Sequence, residues 1–522
     1  MKKLSKFFFG LALLAAVAPV LSYGQAPAVP SRESEDVGGV MAKGYWAIWN
    51  DAEQARMDAD IDAYRKADAS FKVGAVKKGT KVKVEQTGSK FVFGASAFNW
   101  NQLGSYEANA RYRELFGTLF NRATVPFYWK DFEPNPGYRR FKAGIADTEE
   151  FWNGVSNPYF QPHWRRPAVD PIVDWCTEHG VAVHGHPLVW GSRKWQYPRW
   201  LLSEGIPENE RRALDSLEIV LFKTSSSHAP SYDSMTPQEI ADLLPTYLSQ
   251  LESQTYERIR SIMTHYGDRI GSWDVVNESA RDLNHGIKDP SQPMCKSEYG
   301  PMFPDYVWRS FNEAAKYDTE ANLLNINDYD ASDTYFKEIG SLLSRGAKIE
   351  VIGSQMHLFD PQQCADIAAG KSLKNSWRLL EPAEIREFFG KLGSFGIPTC
   401  LSEITITSAG EGERGEMIQA IIARNLYRLW FSLPSMMGIT WWNIVDNCGA
   451  AGEPNISGLF RRDMTPKIAY YALDQLFNHE WRTNLELQPK NGKIAWRGFK
   501  GTYRISWTDP KGRRHSETFE LN

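Results

Sequence analysis

Eight short apolar runs alternate with helix-forming stretches through the middle of this chain. That alternation restricts the fold more than any other feature. The runs lie at 91–96, 122–128, 181–189, 271–277, 321–328, 350–357, 398–404 and 438–445. A strand buried on both faces reads as a nearly continuous apolar run, and a helical crossover between such strands makes them parallel. Eight repeats of this kind suffice to close a sheet on itself. The expected fold class is therefore α/β, a (β/α)8 TIM barrel over residues 91–480. Its longest insertion falls between the third and fourth strands, at about residues 195–250.

The two ends of the chain have a different character. Lys2, Lys3 and Lys6 precede an apolar run from Phe7 to Val20, and the small residues Ser22 and Gly24 follow. This is the pattern of an export signal over residues 1–24. No Cys follows that run and no other stretch is long and apolar enough to cross a bilayer, so no membrane anchor is expected. The expected location is secreted or periplasmic. Residues 25–44, rich in Pro, Ser, Glu and Gly, read as a flexible leader.

Within residues 45–90 a helix is expected from about Trp46 to Ala67, with Met57, Ile61 and Tyr64 on one face. Phe71 to Val84 alternates apolar and polar residues around Lys77-Lys78-Gly79-Thr80, a hairpin signal. Residues 485–522 carry three further strand patterns, at 493–499, 503–507 and 516–521, with a turn at Asp509-Pro510-Lys511-Gly512. Neither end has strands enough to be stable alone. Together they are expected to build one small accessory β-sandwich-like module.

Composition narrows the function. The net charge is −3 and no basic run is present, which disfavours nucleic acid as a partner. Aromatic residues reach 13%, with 19 Trp and 22 Tyr, consistent either with a large aromatic core or with a cleft that stacks sugar rings. Cys176, Cys295, Cys364, Cys400 and Cys448 are scattered, so a zinc site built on cysteine is not expected. Buried free thiols are the simplest reading, and export leaves one disulfide open. A monomer without metal or other cofactor is expected.

Parallel barrels carry their chemistry at the C-terminal ends of their strands. Here those ends hold His184, His186, Asn277, Glu278, Asp328, His357, Glu403, Trp442 and Asp446. A lone glutamate after a strand is usually a solvated cap. Glu278 and Glu403, on two different strands and among amides and imidazoles, instead suggest a carboxylate pair flanking a glycosidic bond. Two other readings stay open. His184-x-His186 at a strand end is also a way to hold a divalent metal, although only His357 lies near as a further ligand. A barrel that binds carbohydrate without cleaving it is the other.

The motifs resemble glycoside hydrolase family 10, the endo-β-1,4-xylanase family. The resemblance rests on His184-Gly185-His186-Pro187-Leu188-Val189-Trp190, Trp273-Asp274-Val275-Val276-Asn277-Glu278, Asn325-Ile326-Asn327-Asp328-Tyr329, Gln355-Met356-His357-Leu358, Ser402-Glu403-Ile404-Thr405 and Gly438-Ile439-Thr440-Trp441-Trp442. It implies a retaining hydrolase of a plant-type polysaccharide, xylan or a decorated xylan, with another β-linked glycan as the alternative. Glu278 would be the acid/base and Glu403 the nucleophile. His186, Trp190, Asn277, Gln355, His357 and Trp442 would hold the substrate, and Asp274 would support the site. Asp328 and Tyr329 are open between a strand cap and a place in the site, and stand outside the catalytic set. Phe151-Trp152 and His163-Trp164 are read as packing or rim.

The sequence departs from the family at the substrate walls. Members carry Glu-Asn-x-x-Lys-Trp after strand two, whereas this chain has Thr124-Val125-Pro126-Phe127-Tyr128-Trp129. The polar grip on the non-reducing sugars is lost there, and Phe127 and Tyr128 are expected to form an apolar wall in its place. Gly191 stands where a histidine is expected, and Asn447-Cys448-Gly449-Ala450 lacks the expected Trp. Weak action on plain xylan and better action on a substituted glycan are the expectation.

Overall fold

A computed structural model describes residues 29, 31–32, 39–155, 166–217, 220–221, 226–227, 230–285, 289–371, 380–450 and 452–522. The export signal, most of the leader and the His163-Trp164 pair lie outside the described residues.

Eight parallel strands close into a barrel. Numbered one to eight in chain order, they are Val92–Ser96, Arg122–Pro126, Ala182–His186, Ser272–Asn277, Leu324–Asp328, Val351–Leu358, Thr399–Ile406 and Met436–Trp441. Strand eight pairs with strand one and completes the ring. Strands two, four, five and seven are buried along their whole length, with side chains filling the barrel on one face and helices covering the other. Close approach explains Gly185 in strand three. A Cβ there would collide with the Trp273 indole, so only glycine admits that ring.

Two irregularities in register shape the mouth of the barrel. Asn325 pairs with Asp274 but Ile326 pairs with Val276, leaving Val275 as an extra residue in strand four. Ser354 pairs with Leu401 but Gln355 pairs with Glu403, leaving Ser402 as an extra residue in strand seven. An extra residue resets the two-residue alternation of a strand. It turns Asn277 and Glu403 toward the barrel axis.

The helix expected from Trp46 to Ala67 is two helices, Lys43–Ile48 and Asp51–Arg65. The break falls at Asn50, whose side chain accepts from the Glu53 backbone N–H and starts the second helix. Met57 and Ile61 are buried as their spacing requires, but Tyr64 is 42% exposed and lies off the buried face. This helix covers the barrel helix Glu413–Ser432, through Gln54 with Asn425 and through the Arg428–Asp58 ion pair.

The expected hairpin around Lys77-Lys78-Gly79-Thr80 does not form. Strand Lys66–Lys72 pairs with Lys493–Phe499, and strand Val82–Ser89 lies between Asn484–Leu487 and Gly501–Thr508, with Arg514–Leu521 at the edge. Alternation correctly marked strands, but their partners come from the far end of the chain. Val73, Val82, Val84, Ile494, Tyr503 and Ile505 share the apolar core between the two sheets.

Candidate active site

Glu278 follows strand four directly, with φ +56°. That left-handed conformation is uncommon for a residue with a side chain, and such strain gathers at functional sites. Its backbone N–H donates to the Asn327 carbonyl at 2.8 Å. Glu403 lies within strand seven and is 5% exposed. The Gln355 Nε2 donates to Glu278 Oε1 at 3.1 Å and to Glu403 Oε1 at 3.0 Å. One nitrogen touching both carboxylates limits the gap between those oxygens to about 6 Å.

The two carboxylates differ in their donors. Asn327 Nδ2 donates to Glu403 Oε1 at 2.9 Å. His357 Nε2 stands 3.4 Å from Glu403 Oε2, and His186 Nε2 stands 3.7 Å from Glu403 Oε1. The Thr405 hydroxyl lies 2.9 Å from His357 Nδ1, which favours the tautomer with its proton on Nε2, facing Glu403. Glu278 has the Tyr299 hydroxyl at 2.8 Å and the shared Gln355. Burial, then the neighbouring Glu403 charge, pushes the Glu278 carboxyl up to about 7. Burial raises Glu403 as well, against the pull of His186 and Asn327. Two carboxylates this close cannot both ionise easily, so the pair retains a proton into the neutral range. The two imidazoles of His186 and His357, which face Glu403 and not Glu278, favour the negative charge on Glu403 and the proton on Glu278.

Beneath the pair lies a buried triad. Asp274 Oδ2 is 2.9 Å from His184 Nε2 and 2.8 Å from His186 Nδ1. Burial alone would raise the Asp274 carboxyl, but the two imidazoles hold it well below the usual carboxylate range. The His184-x-His186 pair therefore turns its nitrogens to a carboxylate and to Ser272, not to a common open point. Among the described residues there is no cluster of three or more His, Cys, Asp or Glu placed to hold a metal ion. All five cysteines are buried, and no disulfide joins them.

The other residues singled out from the sequence gather around the same pocket. Asn277 Oδ1 accepts from Asn327 Nδ2 at 2.9 Å and from Gln355 Nε2 at 3.3 Å, which leaves its amide N–H groups for Glu278 and the open pocket. Trp442 stands edge-on to His186 with ring centroids 5.2 Å apart, and with Phe98 and Tyr128 forms a small aromatic cluster against which Trp190 packs. Asp328 caps strand five, accepting from the Ala280 and Asp330 backbone N–H groups. Trp152 is buried packing and Phe151 is 42% exposed.

Phe127 does not line the pocket. It is fully buried and packs against Phe132 and Trp273, so Tyr128 alone of the two faces the site. Asn327, Tyr299 and Ser402 also belong to the site: Asn327 and Ser402 stand inside motifs read from the sequence but were given no role there, and Tyr299 lies outside every motif. Asn327 had a signal, since it is two residues from Asn325 on one face of strand five. Tyr299 had none, because it arrives from the hairpin Cys295–Met302 in the connection after strand four.

The family model for glycosyl hydrolase family 10 matches residues 157–476, a span that takes in strands three to eight and both glutamates. It begins beyond strand two, where the sequence departs from the family. Among curated relatives, endo-1,4-beta-xylanase A of Halalkalibacterium halodurans is 25% identical over 316 residues, covering 56% of this chain and 67% of that protein. The anti-sigma-I factor RsgI6 of Acetivibrio thermocellus is 24% identical over 357 residues, covering 68% of this chain and 36% of that protein. This chain thus spans about a third of the anti-sigma factor's length. Among solved structures, native xylanase 10B from Thermotoga maritima aligns over 75% of this chain and 96% of its own, at 19% identity and a TM-score of 0.47. A family model matched over more than half of the chain, on a closed eight-stranded parallel barrel, places this chain in glycosyl hydrolase family 10.

Proposed function

We propose that this protein is a secreted, monomeric, retaining β-glycoside hydrolase that cleaves a plant-type polysaccharide, xylan or a decorated xylan, in the manner of an endo-1,4-β-xylanase. The observation that carries the reading is the single Gln355 amide joining Glu278 and Glu403. A gap of at most about 6 Å suits a pair in which one carboxylate attacks carbon directly, whereas inversion needs room for water, at about 6.5–9.5 Å.

The chemistry rests on the donors. Glu403, ionised and fixed by Asn327, Gln355 and His357, attacks the anomeric carbon. Glu278 gives its proton to the departing sugar oxygen, then takes one from the water that releases the glycosyl-enzyme intermediate. The Asn277 amide donates to the sugar 2-hydroxyl. Trp190 and Trp442 offer ring faces and edges to the sugar beside the cleaved bond, and His186 braces Glu403 from below. The xylanase names among the relatives support the substrate, and the Lys-rich, apolar start of the chain supports export.

Proton NMR during hydrolysis of xylo-oligosaccharides, plain and decorated, tests this. The β-anomer as first-formed product is expected. The α-anomer appearing first would replace retention by inversion. Binding without turnover of any β-glycan would leave a carbohydrate-binding barrel.

A further inference from the structure

Arg166 is a cation on the wall of the pocket with no carboxylate partner among the described residues. Its guanidinium carbon lies 4.3 Å from the Phe98 ring centroid and 4.3 Å from the Tyr128 ring centroid. Those rings belong to the cluster with Trp442 that stands beside His186 and Glu403. The side chain is partly exposed. Other arginines near the same end of the barrel are paired, Arg113 with Glu149 and Arg140 with Asp147.

The backbone that carries Arg166 is fixed. Its carbonyl accepts from Arg140 Nη1 at 3.0 Å, and two residues on the Ala168 N–H donates to Asp147 Oδ1 at 3.3 Å. Contact with two rings that stand nearly perpendicular to each other then restricts the guanidinium beside the cleft. Tyr128, one of those two rings, belongs to the segment that lost the family's polar grip. Thr124 and Val125 are buried in the barrel and Lys130 is exposed on the short helix Trp129–Phe132, so none of them restores it. Among the described residues, Arg166 is a charged group in contact with this stretch of wall, over the Tyr128 ring.

Two carboxylates stand near this wall. Tyr128 sits within the electrostatic reach of the carboxylates Glu403 and Glu453 as well as of Arg166. Glu453 is already engaged by the Asn443 amide and the Ala450 N–H. An anionic sugar would be repelled from such a pocket unless a cation met it. A guanidinium fork matches a planar carboxylate with two parallel hydrogen bonds and offers a neutral hydroxyl much less.

We propose that Arg166 is a specificity-determining residue that binds the carboxylate of a uronic acid carried by the glycan, beside the sugar being cleaved. This rests on the proposed hydrolase function for its substrate backbone. No covalent step is added, since the carboxylate is held while Glu278 and Glu403 do the chemistry.

The test compares the wild type with Arg166→Gln and Arg166→Lys on xylo-oligosaccharides with a glucuronic acid branch, the same compounds with that carboxyl reduced to an alcohol, and an arabinose-branched series. The readout is the ratio of kcat/KM within each enzyme, so a general loss of activity cancels. The wild type is expected to favour the uronate over its reduced form by about ten- to a hundredfold, as for a hydrogen bond to a charged group. Arg166→Gln is expected to bring that ratio to about one, with Arg166→Lys between. The wild-type ratio is expected to fall with added salt because the site is partly open. A wild-type ratio near one, or a ratio unchanged in Arg166→Gln, overturns the assignment. If none of the compounds is cleaved, the hydrolase reading fails, and calorimetric binding of the same series still decides for Arg166. A uronate preference abolished by Arg166→Gln supports it, and equal or absent binding overturns it.

Discussion

Tyr299 donates its hydroxyl to Glu278 Oε2 at 2.8 Å. The Tyr299 phenol is raised well above its ordinary value by burial and by the Glu278 charge, so it stays a neutral donor through the working range. A donor to the ionised carboxylate favours that form and lowers the carboxyl's proton affinity. Tyr299 therefore opposes the burial and the Glu403 charge that raise Glu278. In the proposed mechanism this would keep the acid from holding its proton too tightly to return to the base form in the second half of the reaction.

Removing that donor has a definite sign. In Tyr299→Phe the Glu278 carboxyl is expected to rise further. The alkaline limb of the kcat/KM profile then moves to higher pH, by about half a pH unit to one, while the maximum rate falls. A merely structural role for the hydroxyl would lower the rate at every pH alike. A profile that drops without moving, or moves to lower pH, would count against Tyr299 as a tuning residue.

The two glutamates separate by leaving group. Glu403→Ala is expected to abolish turnover of every substrate, because no nucleophile remains. Glu278→Ala is expected to slow unactivated oligosaccharides by about 10²–10⁴-fold and activated aryl glycosides far less, since a good leaving group hardly needs the proton. Added azide is expected to rescue Glu278→Ala with a β-glycosyl azide as product. Equal losses on both substrates, without rescue, would remove Glu278 from the acid/base role.

The barrel was legible because both-face burial writes each strand as an apolar run. The run at 91–96 is the strand Val92–Ser96, and that at 350–357 is Val351–Leu358. The inward turn of the site was not legible. Strict alternation would set Asp274, Val276 and Glu278 on one face and Asn277 on the other. The extra Val275 reverses that, and Asn277 joins Asn327 and Gln355 inside. Bulges depend on register with a neighbour, and a single strand's sequence carries no register. The same gap explains the ends of the chain, where Phe71 finds Trp507 and Phe519 across the molecule and not a partner in its own turn.

We propose that those end strands fold as one module, and this has a cost that can be measured. Deleting residues 485–522 would uncover Val73, Val82 and Val84, each now at most 3% exposed. Each such side chain loses ~1.5–3 kcal/mol of burial, and strand Val82–Ser89 also loses both neighbours. The truncated protein is expected to melt earlier and to aggregate. An unchanged melting temperature with full solubility would show that the tail contributes nothing to the rest of the chain.

The proton held by the glutamate pair also makes stability depend on pH, with a sign opposite to that of a salt-bridged carboxylate. The Glu278 carboxyl is raised in the folded protein to about 7 from an ordinary 4.5. The folded state therefore binds this proton more tightly than the unfolded chain. Its favourable contribution is complete below the ordinary value and is lost as pH rises through about 7, where burying the charge becomes a liability. Glu278→Gln keeps an acceptor for Tyr299 but cannot ionise. It is expected to match the wild type in stability near about pH 4.5 and to exceed it near about pH 8, by ~1–3 kcal/mol after allowance for coupling to Glu403. Melting curves of the two proteins across that range decide the matter. A stability difference that stays flat with pH, or that grows as pH falls, would mean that Glu278 does not carry the raised proton.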